Sequence, residues 1–181
     1  MHKIAVIGTH STGKSVLCNK LCSYLKDLGF KVNIVSELAR KCPFPLNESS
    51  TVEAQRWILL NQIEEENNNK DCDFLVCDRS VLDNYIYLFN ILGKDHEGLH
   101  DAMIKHLETY DVLFLASIKS EDIPKDGFRS VSKEFRLRIN DLLINKIHSL
   151  SSFLTENNIN LVKIRSFEDI KNSDILNNLI K

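Results

Sequence analysis

No stretch of this sequence approaches the ~20 consecutive apolar residues of a membrane span, and no basic segment followed by a cleavable apolar one opens it. The expectation is a protein that stays in the cytoplasm. Charge of one sign is scarce as well: 23 Lys and Arg stand against 25 Asp and Glu, for a net charge of −2. That balance gives no general attraction for polyanions and argues against long nucleic acids as partners. The cysteines are few and odd in number, Cys18, Cys22, Cys42, Cys72 and Cys77. A chain of 181 residues can bury a sizeable core without disulfides, so reduced thiols are expected. Cys18 and Cys22 stand one helical turn apart, but no second cysteine or histidine pair joins them at zinc-site spacing. Internal repeats, low-complexity tracts and linkers are missing, which favours one domain over residues 1–181. An N-K-x-D stretch is missing too, which speaks against a GTPase.

What is present alternates. Short apolar runs at 3–7, 31–35, 74–77, 112–116 and 161–164 read as strands. Between them, helical spacing of apolar residues predicts helices over 14–28, from about 52 to the asparagines at 67–69, 81–92, 97–109, 133–154 and 167–180. Ser50 and Glu53, three apart, predict a capping box for the second of these. Strand and helix in alternation imply an α/β fold, a parallel sheet covered on both faces. In such sheets ligands gather beyond the carboxyl ends of the strands. That rule nominates Gly8–Ser15, Ser36–Arg40, Asp78–Ser80, the segment from Ser117 and the residues after Ile164 as one site.

The first of these segments, Gly8-Thr9-His10-Ser11-Thr12-Gly13-Lys14-Ser15, fits G-x-x-x-x-G-K-[ST] where a strand yields to a helix. Its glycines let the loop curl so that backbone N–H groups face phosphate oxygens, at the positive end of a helix. Lys14 is placed to reach the β- and γ-phosphates of a nucleoside triphosphate, and Ser15 to ligate Mg²⁺; His10 is not demanded by the pattern. In FLVCD, four apolar residues deliver Asp78 to a strand end as a second metal-holding group. Arg79 follows, suited by its fixed charge and planar donors to a transferring phosphoryl group. Glu37 and Arg40, three apart after the second strand, are candidates for orienting or deprotonating an acceptor hydroxyl and for holding an anionic acceptor. Gln55 and Gln62 share a helix face and can read a base edge. Asp126-Gly127-Phe128-Arg129-Ser130, within 117–131, reads as a lid that brings Arg129 over developing phosphate charge. Arg136 and Arg138, which follow that segment, are lesser candidates for the same role.

These stretches, GTHSTGKS, SELAR, CDRSVLDNYIY and DGFRS, resemble the small P-loop kinase and ATPase group that includes the ribosylnicotinamide kinase domain and, more remotely, thymidylate kinase and the deoxynucleoside kinases. The resemblance runs from the first strand to the last helix. It implies a three-layer P-loop fold with a five-stranded sheet in the order 2-3-1-4-5, and use of ATP and Mg²⁺. It also implies metal, acceptor or phosphoryl binding by Asp78 and Arg79, a base role for Glu37, and lid function for Arg129. The sequence departs from the pattern where Leu38, rather than proline, follows Glu37, and where no Asp-Arg pair stands near the loop as in thymidylate kinase. Relatives often pair as homodimers. The function expected is phosphoryl transfer from ATP to a small nucleoside, nucleotide or related metabolite. The alternatives are an ATPase or NTP-driven switch module and a polynucleotide 5′-kinase.

Overall fold

The computed structural model describes residues 1–118 and 132–181. Five parallel strands, β1 (His2–Ile7), β2 (Val32–Val35), β3 (Phe74–Asp78), β4 (Val112–Ala116) and β5 (Asn160–Ile164), form one sheet in the order β2-β3-β1-β4-β5. The central strands carry continuous apolar runs, Ile4–Ile7 in β1, Phe74–Cys77 in β3 and Val112–Ala116 in β4, because both of their faces are covered. Side chains alternate across the sheet. Ala5, Ile7, Leu75, Cys77, Leu113 and Leu115 enter one half of the core. Ile4, Val6, Phe74, Val76, Val112 and Phe114 enter the other. Each Val, Leu, Ile or Phe among them, fully withdrawn from water, contributes about 1.5–3 kcal/mol.

The first half of the core is closed by α2 (Val52–Asn68), α3 (Val81–Leu92), α4 (Glu97–Leu107), α5 (Lys133–Ser149) and α6 (Ser151–Glu156). The second is closed by α1 (Lys14–Asp27), α7 (Phe167–Lys171) and α8 (Asp174–Leu179). Helices thus flank the sheet on both sides, the three-layer arrangement expected.

Several boundaries differ from the sequence reading. The cap of α2 is Thr51, whose hydroxyl accepts from the Ala54 amide at 3.2 Å, one residue beyond the predicted Ser50 box. Ser50 instead accepts from the Gln55 side chain at 2.7 Å. The helix predicted over 133–154 breaks at Leu150, whose amide is shared among the carbonyls of Lys146, Ile147 and His148 as the turn tightens. The last predicted helix divides at Asn172–Ser173, because the Ser173 hydroxyl caps a new start by accepting from the Leu176 amide. Most of the predicted lid, residues 119–131 with Arg129, lies outside the described residues. Among the described residues no helix is long and apolar enough to cross a membrane.

Candidate active site

Because all five strands run the same way, their carboxyl ends share one edge, and the loop after β1 meets the residues ending β2 and β3 there. The loop curls through three left-handed positions, Ser11 at φ 59°, Gly13 at φ 83° and Gly8 at φ 139°. At Gly8 a Cβ would lie 2.9 Å from the Ala116 carbonyl oxygen and 3.4 Å from Thr12 Oγ1, so a side chain is excluded as well as strained. The Gly8 amide donates to Asp83 Oδ1 at 2.7 Å. The other oxygen of Asp83 closes a capping box with Ser80 at the start of α3. One carboxylate therefore starts a helix and anchors the loop.

Lys14 is buried, and its ammonium folds back to donate to the Thr9 carbonyl at 2.7 Å. Burial, with the nearby Arg79 charge, pushes its pKa from 10.5 down to about 8, against the pull of Asp83, Asp78 and Glu37. The Ser15 hydroxyl donates to Asp78 Oδ2 at 2.5 Å. Asp78 Oδ1 is buried with no hydrogen-bond partner among the described residues. A hydroxyl and an orphaned carboxylate oxygen are the hard donors a divalent cation such as Mg²⁺ takes, so these residues fit the ion. Most of its ligands in such sites come from phosphates and water, which is consistent with no cluster of three or more His, Cys, Asp or Glu among the described residues.

Arg79 takes left-handed backbone, φ 85°, costly for a side chain of this kind. Its amide donates to the Val6 carbonyl at 3.1 Å, pinning the β3 tip to β1. Its Nε donates to Glu37 Oε1 at 2.9 Å, and its guanidinium lies 5.2 Å from the centre of the Tyr87 ring. Burial opposes the charge, but Tyr87, Glu37, Asp83 and Asp78 together outweigh it and Arg79 stays cationic. Glu37 is also paired with Arg40 Nε at 3.3 Å, with Arg40 half exposed.

Two clefts meet here. One, over the loop in which the sequence motif leads us to expect the phosphate side, is walled by Ser11, Gly13, Lys14, Ser15 and Asp78. The second, about 40 Å³, is walled by Leu46, Asn47, Gln55, Ile58, Asn84 and Tyr87. His10, Glu37 and Arg79 line both. The structure thus brings Gly8–Ser15, Glu37, Asp78, Arg79 and Gln55 together. Gln62 lies elsewhere: fully buried, its amide donates to Glu66 Oε1 at 2.6 Å and toward the Arg79 carbonyl at 3.4 Å, and it does not line the cleft. Arg136 is buried at the start of α5, where its carbonyl accepts from Thr9 Oγ1 at 3.1 Å, whereas Arg138 is exposed. Asn84 was not singled out for this site by sequence alone. It sits in the first turn of α3, a polar residue in a largely apolar helix, and that contrast was the available signal. A larger cavity of about 570 Å³, between α5–α6 and β5, is lined by Leu115, Ile147, Leu154 and Leu161. It holds none of the phosphate-loop residues, so chemistry rather than volume locates the site.

A curled glycine loop on a parallel sheet of this order, with an acid at the neighbouring strand tip, defines a P-loop protein. The chain matches the family described as an AAA domain over residues 3–169 and belongs to it. No curated protein sequence matches it. Its fold is that of deoxyadenosine kinase from M. mycoides, solved with bound dATP, at 19% identity and TM-score 0.65, with 100% of each chain covered. It is also that of thymidylate kinase from Ehrlichia chaffeensis, at 14% identity and TM-score 0.63, with 94% of this chain and 95% of that one covered.

Proposed function

We propose that the protein is a phosphotransferase that moves the γ-phosphoryl group of ATP to a small nucleoside, nucleotide or related metabolite. The observation that carries this reading is the second cleft, which shares His10, Glu37 and Arg79 with the phosphate side. Hydrolysis needs only the first cleft; transfer to another molecule needs both, opening on one point. The solved kinases of the same fold support the reading without naming the acceptor.

The loop amides and Lys14, released from the Thr9 carbonyl, hold the β- and γ-phosphates. Ser15 and Asp78 would hold Mg²⁺, which supplies charge neutralisation on the phosphates when bound. The acceptor enters beside Gln55. Glu37, fixed by Arg79 and Arg40, orients the acceptor hydroxyl and takes its proton. A bond forms from the acceptor oxygen to the γ-phosphorus as the bond to the bridging oxygen breaks, and ADP leaves with that electron pair. Arg79 faces the transferring group, and we assign Arg129 to closure over it. A loose phosphoryl-transfer transition state chiefly requires alignment and charge stabilisation, which these groups supply. At about 40 Å³ the second cleft is closer to the size of one water than of a ring. A nucleoside therefore displaces the Leu46–Asn47 wall on entry.

The test is mass-spectrometric detection of products after incubation with ATP, Mg²⁺ and pooled nucleosides, nucleotides and metabolites, with Lys14→Ala as control. A phosphorylated acceptor that disappears in the variant supports the proposal. No product from any acceptor contradicts it.

A further inference from the structure

His10 sits in the phosphate loop at a position the motif leaves open, yet it is almost wholly withdrawn from water, at 4% exposure. It is held from two sides. The ring stacks on Phe135 of α5, centres 5.8 Å apart and planes 29° apart. Its Nδ1 lies 3.4 Å from the Tyr87 hydroxyl of α3. Arg79 packs against the same phenol, so its cationic donors favour the phenolic oxygen as acceptor and leave the O–H directed to the imidazole. A neutral imidazole that accepts at Nδ1 carries its proton on Nε2. That Nε2 is buried with no partner among the described residues, and so is the Nδ2 of Asn84, which lines the same cleft. Two buried N–H donors in one small cavity each forfeit a hydrogen bond unless a ligand supplies the acceptor.

The geometry points to His10 and Asn84 as acceptor-contacting residues: a fixed pair of neutral donors that grip oxygen atoms of the phosphoryl acceptor where the two clefts meet. This rests on the proposed phosphoryl transfer and deepens it. The acceptor is an oxygen-rich molecule that offers lone pairs to His10, Asn84 and Arg79 and one hydroxyl proton to Glu37. An apolar alcohol would leave the two neutral donors unmet and be rejected. The imidazole is suited to a donor role at neutral pH because it does not become a cation there. Burial first, then the charges of Arg79, Lys14 and Arg136, push its pKa down to about 4, against the opposing pull of Glu48. Its other neighbours, Tyr87 and Phe135, bring no charge at neutral pH.

The experiment compares wild type with His10→Leu, His10→Gln and Asn84→Leu. Side-chain ¹H–¹⁵N spectra at pH 7, with His10→Gln identifying the resonance, are expected to show a protonated Nε2 and a bare Nδ1. For the acceptor found with wild type, His10→Leu and Asn84→Leu are expected to raise KM about 10- to 100-fold. ATP affinity, measured by calorimetry, should stay within about twofold. His10→Gln, which carries an N–H near the Nε2 position, should recover most of the loss, which a purely structural role for the ring would not allow. A bare Nε2, an imidazolium at pH 7, unchanged KM in both leucine variants, or a parallel loss of ATP affinity overturns the inference while transfer itself stands. A wild-type protein that phosphorylates no acceptor overturns the transfer reading and this inference with it.

Discussion

The Ser15 hydroxyl donates to Asp78 Oδ2, clasping the first turn of α1 to the tip of β3 across 63 positions of sequence. The clasp leaves the other Asp78 oxygen buried and unmet. Asp78→Asn keeps the shape but loses the charge. It should weaken binding of ATP with Mg²⁺ by about 10- to 100-fold, on the order of a charge-assisted contact, and leave binding of ATP in EDTA unchanged or tighter. Calorimetry with and without the metal reads this; equal weakening in both conditions contradicts a metal role.

Lys14 gives two pH dependences of opposite sign. Under the proposed mechanism its ammonium is the form that holds the phosphates, and with a pKa of about 8 in the free protein that form declines above pH 8. ATP affinity should therefore fall by up to about tenfold per pH unit above 8. Stability moves the other way. Between about 8 and the ordinary 10.5 the unfolded chain holds a proton that the folded one lacks, so the contribution of this group to stability rises with pH. Calorimetric titrations at pH 7 and 9, with Lys14→Met as control, check the first. Urea unfolding of wild type and variant over the same range checks the second.

Gly8→Ala forces a methyl to within 2.9 Å of the Ala116 carbonyl and strains a backbone at φ 139°. The expected cost is about 1–3 kcal/mol, with loss of ATP binding because the loop can no longer close on itself. A variant that binds ATP like wild type would contradict the close approach. Gly93→Ala is the comparison: its φ of 67° is strained but nothing lies within 4 Å.

Glu66 is fully buried on α2 and accepts from His106 at 2.8 Å, Tyr110 at 2.7 Å and Gln62 at 2.6 Å, with Lys3 Nζ at 3.1 Å. Burial works against its charge, but His106, Lys3 and Gln62 prevail and hold its pKa below the ordinary carboxylate value. Glu66→Gln leaves Lys3 buried beside a neutral group and should cost about 3–5 kcal/mol. Breaking the exposed Lys41–Glu65 pair should cost at most about 1 kcal/mol. Denaturant midpoints for Glu66→Gln and Lys41→Gln test the contrast; similar shifts would refute it.

The sheet and its phosphate loop were legible because each rests on local pattern. Four apolar residues ending in Asp78 mark a buried strand that must stop at water, and Gly8, Gly13 and Lys14 mark a loop at a fixed spacing. The strand order came from resemblance to other proteins rather than from any local property. What stayed hidden depends on burial and on contacts remote in sequence. Gln62 and Glu66 share a helix face with Gln55, but only packing decides that Gln55 reaches the cleft while the other two turn into the core toward Lys3 and Tyr110. Asp83 closes a capping box with Ser80 only three residues away, a local relationship; its second bond, to Gly8, joins residues 75 apart. The choice of Thr51 over Ser50 as cap turned on one residue between two hydroxyls of equal chemistry.

The central claim is transfer rather than hydrolysis, and ³¹P NMR of ATP, Mg²⁺ and the metabolite pool with purified protein tests it most directly. A new phosphomonoester or phosphoanhydride resonance that grows with ADP, and is missing with Lys14→Ala, is the predicted result. Inorganic phosphate appearing at the same rate with or without the pool, with no other new resonance, would contradict the account.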